Sequence, residues 1–547
     1  MTEKSTIVKG TAWSILSQVI TKGASFIYLI ILTHYFSQGD IGSFYWVLSI
    51  LGILTIFTDL GMNNAFSRYL PYYYGERKFK ELKILIKSTI GIGVGLSFLV
   101  SLMTIVFADQ LSSFFGNPGL ANILRLMGAY LVLNQMFEIC RGILIGRKDI
   151  KHAEFGMNIQ NISKLVFTLA AFYILGPTIY SLILAFMASL LLSVLYGISR
   201  SYGLIKEIVF KDQHENAEDY ENLLKEIVPF GLTIAIIGSL FTLAAYVDKI
   251  MIGALMPEEI AAPQIAIYTI AIGLAGLVSI FQTSINRIFF PVISEMLGKK
   301  DNKHMERTAE ISIKWLLMII VPTVILLLAF GGYFLELFYG SEYRSGETAM
   351  SLIAIGLFIS AIGALPGAVL IAMKRLDIEF GIGIVAVITN IIVNWMLIPQ
   401  YGINGAAFAL MISLTITAIL TINYSRKIAN LKLPVDAYKP ILAGMTGLAL
   451  ILILKPYLLL LLNGTIATVL GNQDAGTEIV EKMIKLIAFG ALFGFACLIY
   501  FACLLALRTF GADEIDMFES GLKKAKVPES WRKKIRTMLE AKYLGTY

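Results

Sequence analysis

Apolar stretches of about 20 residues recur along almost the whole chain, each long enough to cross a bilayer as a helix. Length, breakers and flanking charge predict about fourteen spans, near 10–35, 41–62, 85–108, 120–143, 153–175, 178–199, 228–255, 264–290, 312–335, 348–372, 379–398, 403–424, 440–462 and 482–507. The loops between them are short, so no soluble domain of ordinary size is left over. The expected fold class is all-α, a polytopic bundle of membrane helices.

Lysine and arginine orient the bundle, because cytoplasmic loops carry their excess. With the N-terminus inside, Arg68, Arg77, Lys78, Lys80, Lys83 and Lys87 follow span two, and Arg147, Lys148 and Lys151 follow span four. Lys206, Lys211 and Lys225 fall on the same side, as do Lys299, Lys300, Lys303 and Arg307, then Lys374 and Arg375, then Arg426 and Lys427. Opposite loops such as Asp109–Gly119 and Pro399–Gly405 contain neither residue type. Both termini are expected in the cytoplasm and the protein in the cell membrane.

Composition adds mainly exclusions. Of 547 residues, 57% are hydrophobic and 15% charged, which rules out a secreted protein, a bitopic receptor and a cytosolic enzyme. The net charge of +7 is the sum of topology-setting loops facing an anionic leaflet and needs no nucleic-acid partner. Cys140, Cys497 and Cys503 lie inside apolar stretches and read as small core residues. His34, His152, His214 and His304 sit at or beyond span ends without metal spacing, and no Walker-type loop is present. The expectation is no metal, no cofactor and no enzymatic activity, with any driving force drawn from an ion gradient, the membrane potential or the substrate gradient. Thr11–Phe36 is too long for a cleaved signal and reads as an uncleaved first span.

The chain also resembles itself at a displacement of roughly 220 to 226 residues. Arg68-Tyr69-Leu70-Pro71 resembles Ile288-Phe289-Phe290-Pro291, Phe114-Phe115-Gly116 resembles Phe338-Tyr339-Gly340, and the run from Arg147-Lys148-Asp149 to Glu154-Phe155-Gly156 resembles that from Lys374 to Glu379-Phe380-Gly381. An even number of spans separates the copies, so the halves run in parallel. The expected organisation is an N-lobe over 1–199, a cytoplasmic linker over 200–227, a C-lobe over 228–430, two added spans over 431–507 and a basic tail over 508–547.

Ionisable groups at membrane depth are costly and face a cavity or a partner. In span one Thr11, Ser14, Gln18, Lys22 and Ser25 recur every three to four residues, and Lys22 lies about 18 Å from the inner end of the span. Ser239, Thr242, Tyr246 and Lys249 repeat that spacing in span seven, span eight adds Ser279, Gln282, Asn286 and Arg287, and span two adds Thr55, Asp59 and Asn63 leading to Arg68. The candidate substrate-binding set is Lys22, Lys249, Arg287, Arg68, Gln18, Asn286 and Tyr246, lining a cationic chamber between lobes. Against it stands pairing of Lys22 or Lys249 with Asp59 or Asp248, and topology alone for Arg68 and Arg287. Asn134, Glu138 and Arg141 share a face of span four, and Asn158, Asn161, Lys164 and Thr168 line span five. Asp59, Glu138, Lys164 and Asp248 are read as coupling or pairing groups, with Glu138 and Lys164 neutralising one another as the plain alternative.

Gly10-Thr11-Ala12-Trp13, Asp40-Ile41-Gly42-Ser43-Phe44-Tyr45, Asp59-Leu60-Gly61-Met62 running into Arg68-Tyr69-Leu70-Pro71, Val247-Asp248-Lys249-Ile250-Met251-Ile252-Gly253 and Gly402-Ile403-Asn404-Gly405 stand in an order that resembles the polysaccharide transporter family of the multidrug/oligosaccharidyl-lipid/polysaccharide flippases, over about Ile7 to Leu507. The resemblance implies a V-shaped, alternating-access flippase that moves a polyprenyl-diphosphate-linked glycan to the outer leaflet, with cations in spans one, two and eight. It matches Lys22, Arg68 and Arg287 by location. Buried Lys and Arg would offset the desolvation of a diphosphate. Two alternatives remain: a cation-coupled drug exporter of the same superfamily, which calls for acidic residues in the chamber, and a scaffold for glycan-assembly enzymes acting through the tail.

Overall fold

The computed structural model describes residues 3–209, 216–470, 477–509, 528–533 and 536–537, and these are almost entirely helical. In chain order the helices are α1 (Glu3–Tyr35), α2 (Gln38–Asp59), α3 (Met62–Gly75), α4 (Phe79–Val106), α5 (Ala108–Phe114), α6 (Ala121–Met127), α7 (Tyr130–Gly146), α8 (Ile150–Leu175) and α9 (Ile179–Val209). They continue as α10 (Ala217–Leu255), α11 (Glu258–Ala275), α12 (Leu277–Gly298), α13 (Asn302–Tyr339), α14 (Glu347–Ala372), α15 (Leu376–Tyr401), α16 (Ile403–Ala429), α17 (Tyr438–Leu470) and α18 (Thr477–Ala506).

Ten described helices are long and apolar enough to cross a membrane, or eleven if α6 and α7, which meet at 40° after a short 3-10 turn, count as one. The expected fourteen is therefore not reached on hydropathy. In α8 the shortfall has a visible cause, since Asn158, Gln160, Asn161, Ser163 and Lys164 dilute its apolar content. Three expected spans meet breaks, span four being the α6–α7 pair. Span two ends at Leu60 and Gly61, both left-handed, and resumes as α3, while span eight is divided at Gly276 into α11 and α12. Gly61 is obligatory on two counts: its φ is +73°, and a Cβ there would lie 1.8 Å from the Gly231 carbonyl oxygen of α10.

The internal repeat is written into the backbone. Arg77 and Lys300 end α3 and α12 in the left-handed region, and Lys148 and Lys374 do the same after α7 and α14. Each of these turns closes with the following residue's N–H on a carbonyl five residues earlier, as in Asp149 to Leu144 and Arg375 to Leu370, which is Schellman closure. Gly116 and Gly340, then Gly176 and Gly402, are further positive-φ pairs at the displacement predicted from the motifs.

The helices form two compact units. The first comprises 1–270, 338–343 and 387–409; the second comprises 271–337, 344–386 and 410–547. This division differs from the expected lobes, because α10 and most of α11 cluster with the first half. Most of the expected linker is helical, in α9 and α10, and 210–215 lies outside the described residues, as does most of the tail. In the first unit Phe66, Leu70, Ile84, Leu85, Ile143 and Ile227 form a buried core. In the second, Val321 and Ile325 of α13 pack with Ala443 and Ile451 of α17 and Tyr500 and Leu504 of α18.

Candidate functional site

Helix α1 packs along α8 with the face that carries Ser17, Thr21, Ala24 and Tyr28. The Asn158 side-chain oxygen accepts from the Ser17 hydroxyl at 3.0 Å and the Thr21 hydroxyl at 3.3 Å. One to two turns on, the Lys164 ammonium sits 4.3 Å from the centre of the Tyr28 ring. Thr168, fully buried, completes this cluster, its hydroxyl and that of Tyr28 making only a long contact with one another. The stripe singled out in sequence lies beside this face: Lys22 is exposed, and Gln18 and Ser25 are half-buried. The side chains of Thr11 and Ser14 fall outside the described residues. Glu138 does not pair with Lys164, because Arg141, one turn along the same helix, donates to it at 3.2 Å.

The first unit holds a polar cavity of about 360 Å³ bounded by α2, α3, α7 and α10. Thr55, Asp59 and Asn63 line it together with Asn134, Gln135, Glu138 and Arg141, and α10 adds Ser239 and Thr242. All of these except Gln135 lie on the polar helix faces expected from spacing, and the faces of α2, α7 and α10 meet at this one cavity. The Asp59 carboxylate accepts the Asn63 N–H at 3.0 Å, so it caps α3 instead of pairing with Lys22. Tyr246 packs one turn beyond Thr242, in the slot left by Gly52, where a Cβ would come within 2.4 Å of its ring.

Farther along α10, Asp248 and Lys249 diverge as neighbours on a helix must. Asp248 is buried and accepts from the Tyr268 hydroxyl at 2.7 Å and the Asn394 amide at 2.8 Å; that amide also donates to Asn390 at 3.1 Å. Lys249 reaches the Ala245 carbonyl at 3.4 Å and lies 5.6 Å from the Tyr246 ring centre. In place of the alternative pairing of Lys249 with Asp248, the two side chains make separate sets of contacts.

Arg68 is exposed, with its guanidinium 4.3 Å from the Phe230 ring centre and 5.4 Å from that of Tyr69. Asn286 and Arg287 are half-buried on α12, in the second unit. Sequence reasoning missed Gln135, Tyr268, Asn390 and Asn394. The two asparagines carried a signal, being amides one turn apart on an otherwise apolar helix; Gln135 and Tyr268 carried none.

A broken polytopic helical bundle with polar groups gathered between its helices is the construction of a transporter of the flippase and multidrug-exporter type. The chain belongs to the polysaccharide biosynthesis protein family, whose model matches residues 7–297, and the MatE model matches 234–396. It is 24% identical over 444 residues to an uncharacterised membrane protein of Methanocaldococcus jannaschii, covering 78% of this chain and 85% of the relative. It is 20% identical over 419 residues to the probable low-salt glycan biosynthesis flippase Agl15 of Haloferax volcanii, covering 76% and 83%. Among solved structures, the lipid II flippase MurJ in an inward closed conformation matches with a TM-score of 0.63 at 17% identity, over 89% of this chain and 98% of that one. This likeness establishes the polytopic all-α fold.

Proposed function

We propose that the protein is a flippase that carries a polyprenyl-diphosphate-linked oligosaccharide from the inner to the outer leaflet of the cell membrane by alternating access, with both termini in the cytoplasm. One observation carries the reading beyond family membership: among the described residues of the first unit, the membrane carboxylates Asp59, Glu138 and Asp248 each hold hydrogen-bond or ion-pair partners, whereas Lys22, Lys164 and Lys249 form no salt bridge. Asp59 caps α3, Glu138 holds Arg141, and Asp248 holds Tyr268 and Asn394. Lys164 rests on an aromatic ring and Lys249 on a backbone carbonyl and a ring, while Lys22 is exposed. Such an arrangement favours an anionic headgroup over a cationic drug. Lys22, Lys249, Arg68 and Arg287 are assigned to the diphosphate, Gln18, Tyr246 and Asn286 to hydroxyl and amide contacts, and the Asp248 cluster to coupling. Glycan-assembly enzymes are the natural partners of such a carrier.

The MatE match over 234–396 favours a second reading, a cation-coupled exporter. Transbilayer movement of a fluorescent polyprenyl-diphosphate oligosaccharide in proteoliposomes separates the two. Wild type should move it, and Lys22→Ala and Lys249→Ala should fail at matched insertion. Movement by both variants would leave the flippase standing and remove these lysines from its site. No movement by inserted wild type, with or without an ion gradient, would favour the exporter.

A further inference from the structure

We propose that the cavity bounded by α2, α3, α7 and α10 is a sugar subsite, which takes a neutral, polyhydroxylated ring of the cargo and excludes the diphosphate. The inference rests on the flippase reading and assigns one part of the cargo to one place. At about 360 Å³ the cavity falls in the range of small-molecule sites and has room for a sugar ring.

Its charge argues against phosphate. Asp59 and Glu138 outweigh Arg141, whose terminal nitrogen is already given to Glu138, so a group with two or more negative charges would meet net repulsion there. Its hydrogen-bonding capacity points instead to hydroxyls. Gln135 is 2% exposed and its amide nitrogen makes only a long contact, to the Asp59 carboxylate, and the Nε of Arg141 is buried without a hydrogen-bond partner. Beside these donors, the carboxylates of Asp59 and Glu138 keep spare lone pairs, since each can accept several hydrogen bonds. Donors and acceptors side by side suit a ligand whose every polar group both gives and takes, and a hydroxyl is that group. Ile56 and Ile234 add apolar wall for the C–H surface of a ring. A cationic ligand would use the carboxylates and leave the buried donors unmet, which is costly for groups shut off from water.

The test uses the full chain in proteoliposomes with two fluorescent probes, a polyprenyl diphosphate carrying chitobiose and the same lipid without sugar. Gln135→Met keeps volume and removes the amide; Thr242→Val keeps shape and removes a hydroxyl. Each should lower transport of the sugar-bearing lipid relative to the sugarless one by about tenfold at sub-saturating concentration, the scale of one lost buried hydrogen bond. Free chitobiose should compete with the sugar-bearing lipid in wild type, which keeps the test alive if a variant fails to insert. Equal effects on both lipids, no effect on either, or competition by a lipophilic cation instead of chitobiose would overturn the subsite. Wild type moving the sugarless lipid alone would overturn the subsite and leave a lipid flippase; wild type moving neither would overturn the flippase reading beneath it.

Discussion

The two halves of the repeat build clusters of opposite charge around matching positions. Counted back from the glycine that closes each span, Gly176 after α8 and Gly402 after α15, Lys164 and Asn390 stand at the same place, and so do Thr168 and Asn394. The first cluster surrounds a cation, with Lys164 against the Tyr28 ring and the Tyr28 and Thr168 hydroxyls in long contact. The second surrounds an anion, with Asp248 bound by Tyr268 and Asn394 and a further amide link to Asn390. Gene duplication preserves the turn geometry, because Schellman closures and positive-φ glycines are local, and leaves the interior free to diverge. Charge inversion is the result, and it assigns the clusters different energetics: directional hydrogen bonds hold the second, while the first rests on a softer cation–π contact.

The largest expected effect is Asp248→Ala, which strands the Tyr268 hydroxyl and the Asn394 amide without their acceptor and should cost about 2–5 kcal/mol. Thermal inactivation in detergent measures it. A loss no greater than that of Lys164→Met would break the comparison. Next is Gly61→Ala, at about 1 kcal/mol for the left-handed φ plus the displacement of α10, against a much smaller effect for Gly276→Ala, where φ is −60°. Equal shifts would mean that these two broken spans are held by the same backbone constraint. Lys164→Met comes last in stability, within about 1 kcal/mol of wild type, because the lost cation–π attraction is offset by relief of a buried charge. Its signature should be loss of glycolipid movement with the melting midpoint kept; full transport by this variant would reduce the first cluster to packing.

Much of the candidate site was legible from spacing. Asn134, Glu138 and Arg141 on one face of α7, and Ser239 and Thr242 on one face of α10, follow from helical geometry, and the structure brings both faces to one cavity. The face of α1 was not legible in the same way. Gln18, Lys22 and Ser25 form as regular a stripe as Ser17, Thr21 and Tyr28, and only α8, with Asn158 and Lys164 at the right heights, selects the second for packing. Likewise, Asp248 had an adjacent lysine as its obvious partner, yet the partners it takes are Tyr268 on α11 and Asn394, 146 residues away on α15.

Local and short-range terms reach a long way in this chain. Hydropathy settles that the helices cross a bilayer, since an unsatisfied backbone group in lipid has no alternative partner, and motif spacing settles the duplication and the turns that close it. The breaks at Gly61 and Gly276, the helix face that turns inward and the pairing of each buried charge belong to the tertiary structure. Those depend on which atoms of distant helices arrive within about 3 Å, where hydrogen bonds are directional and the rotation of about 100° from one helical residue to the next exchanges one set of partners for another.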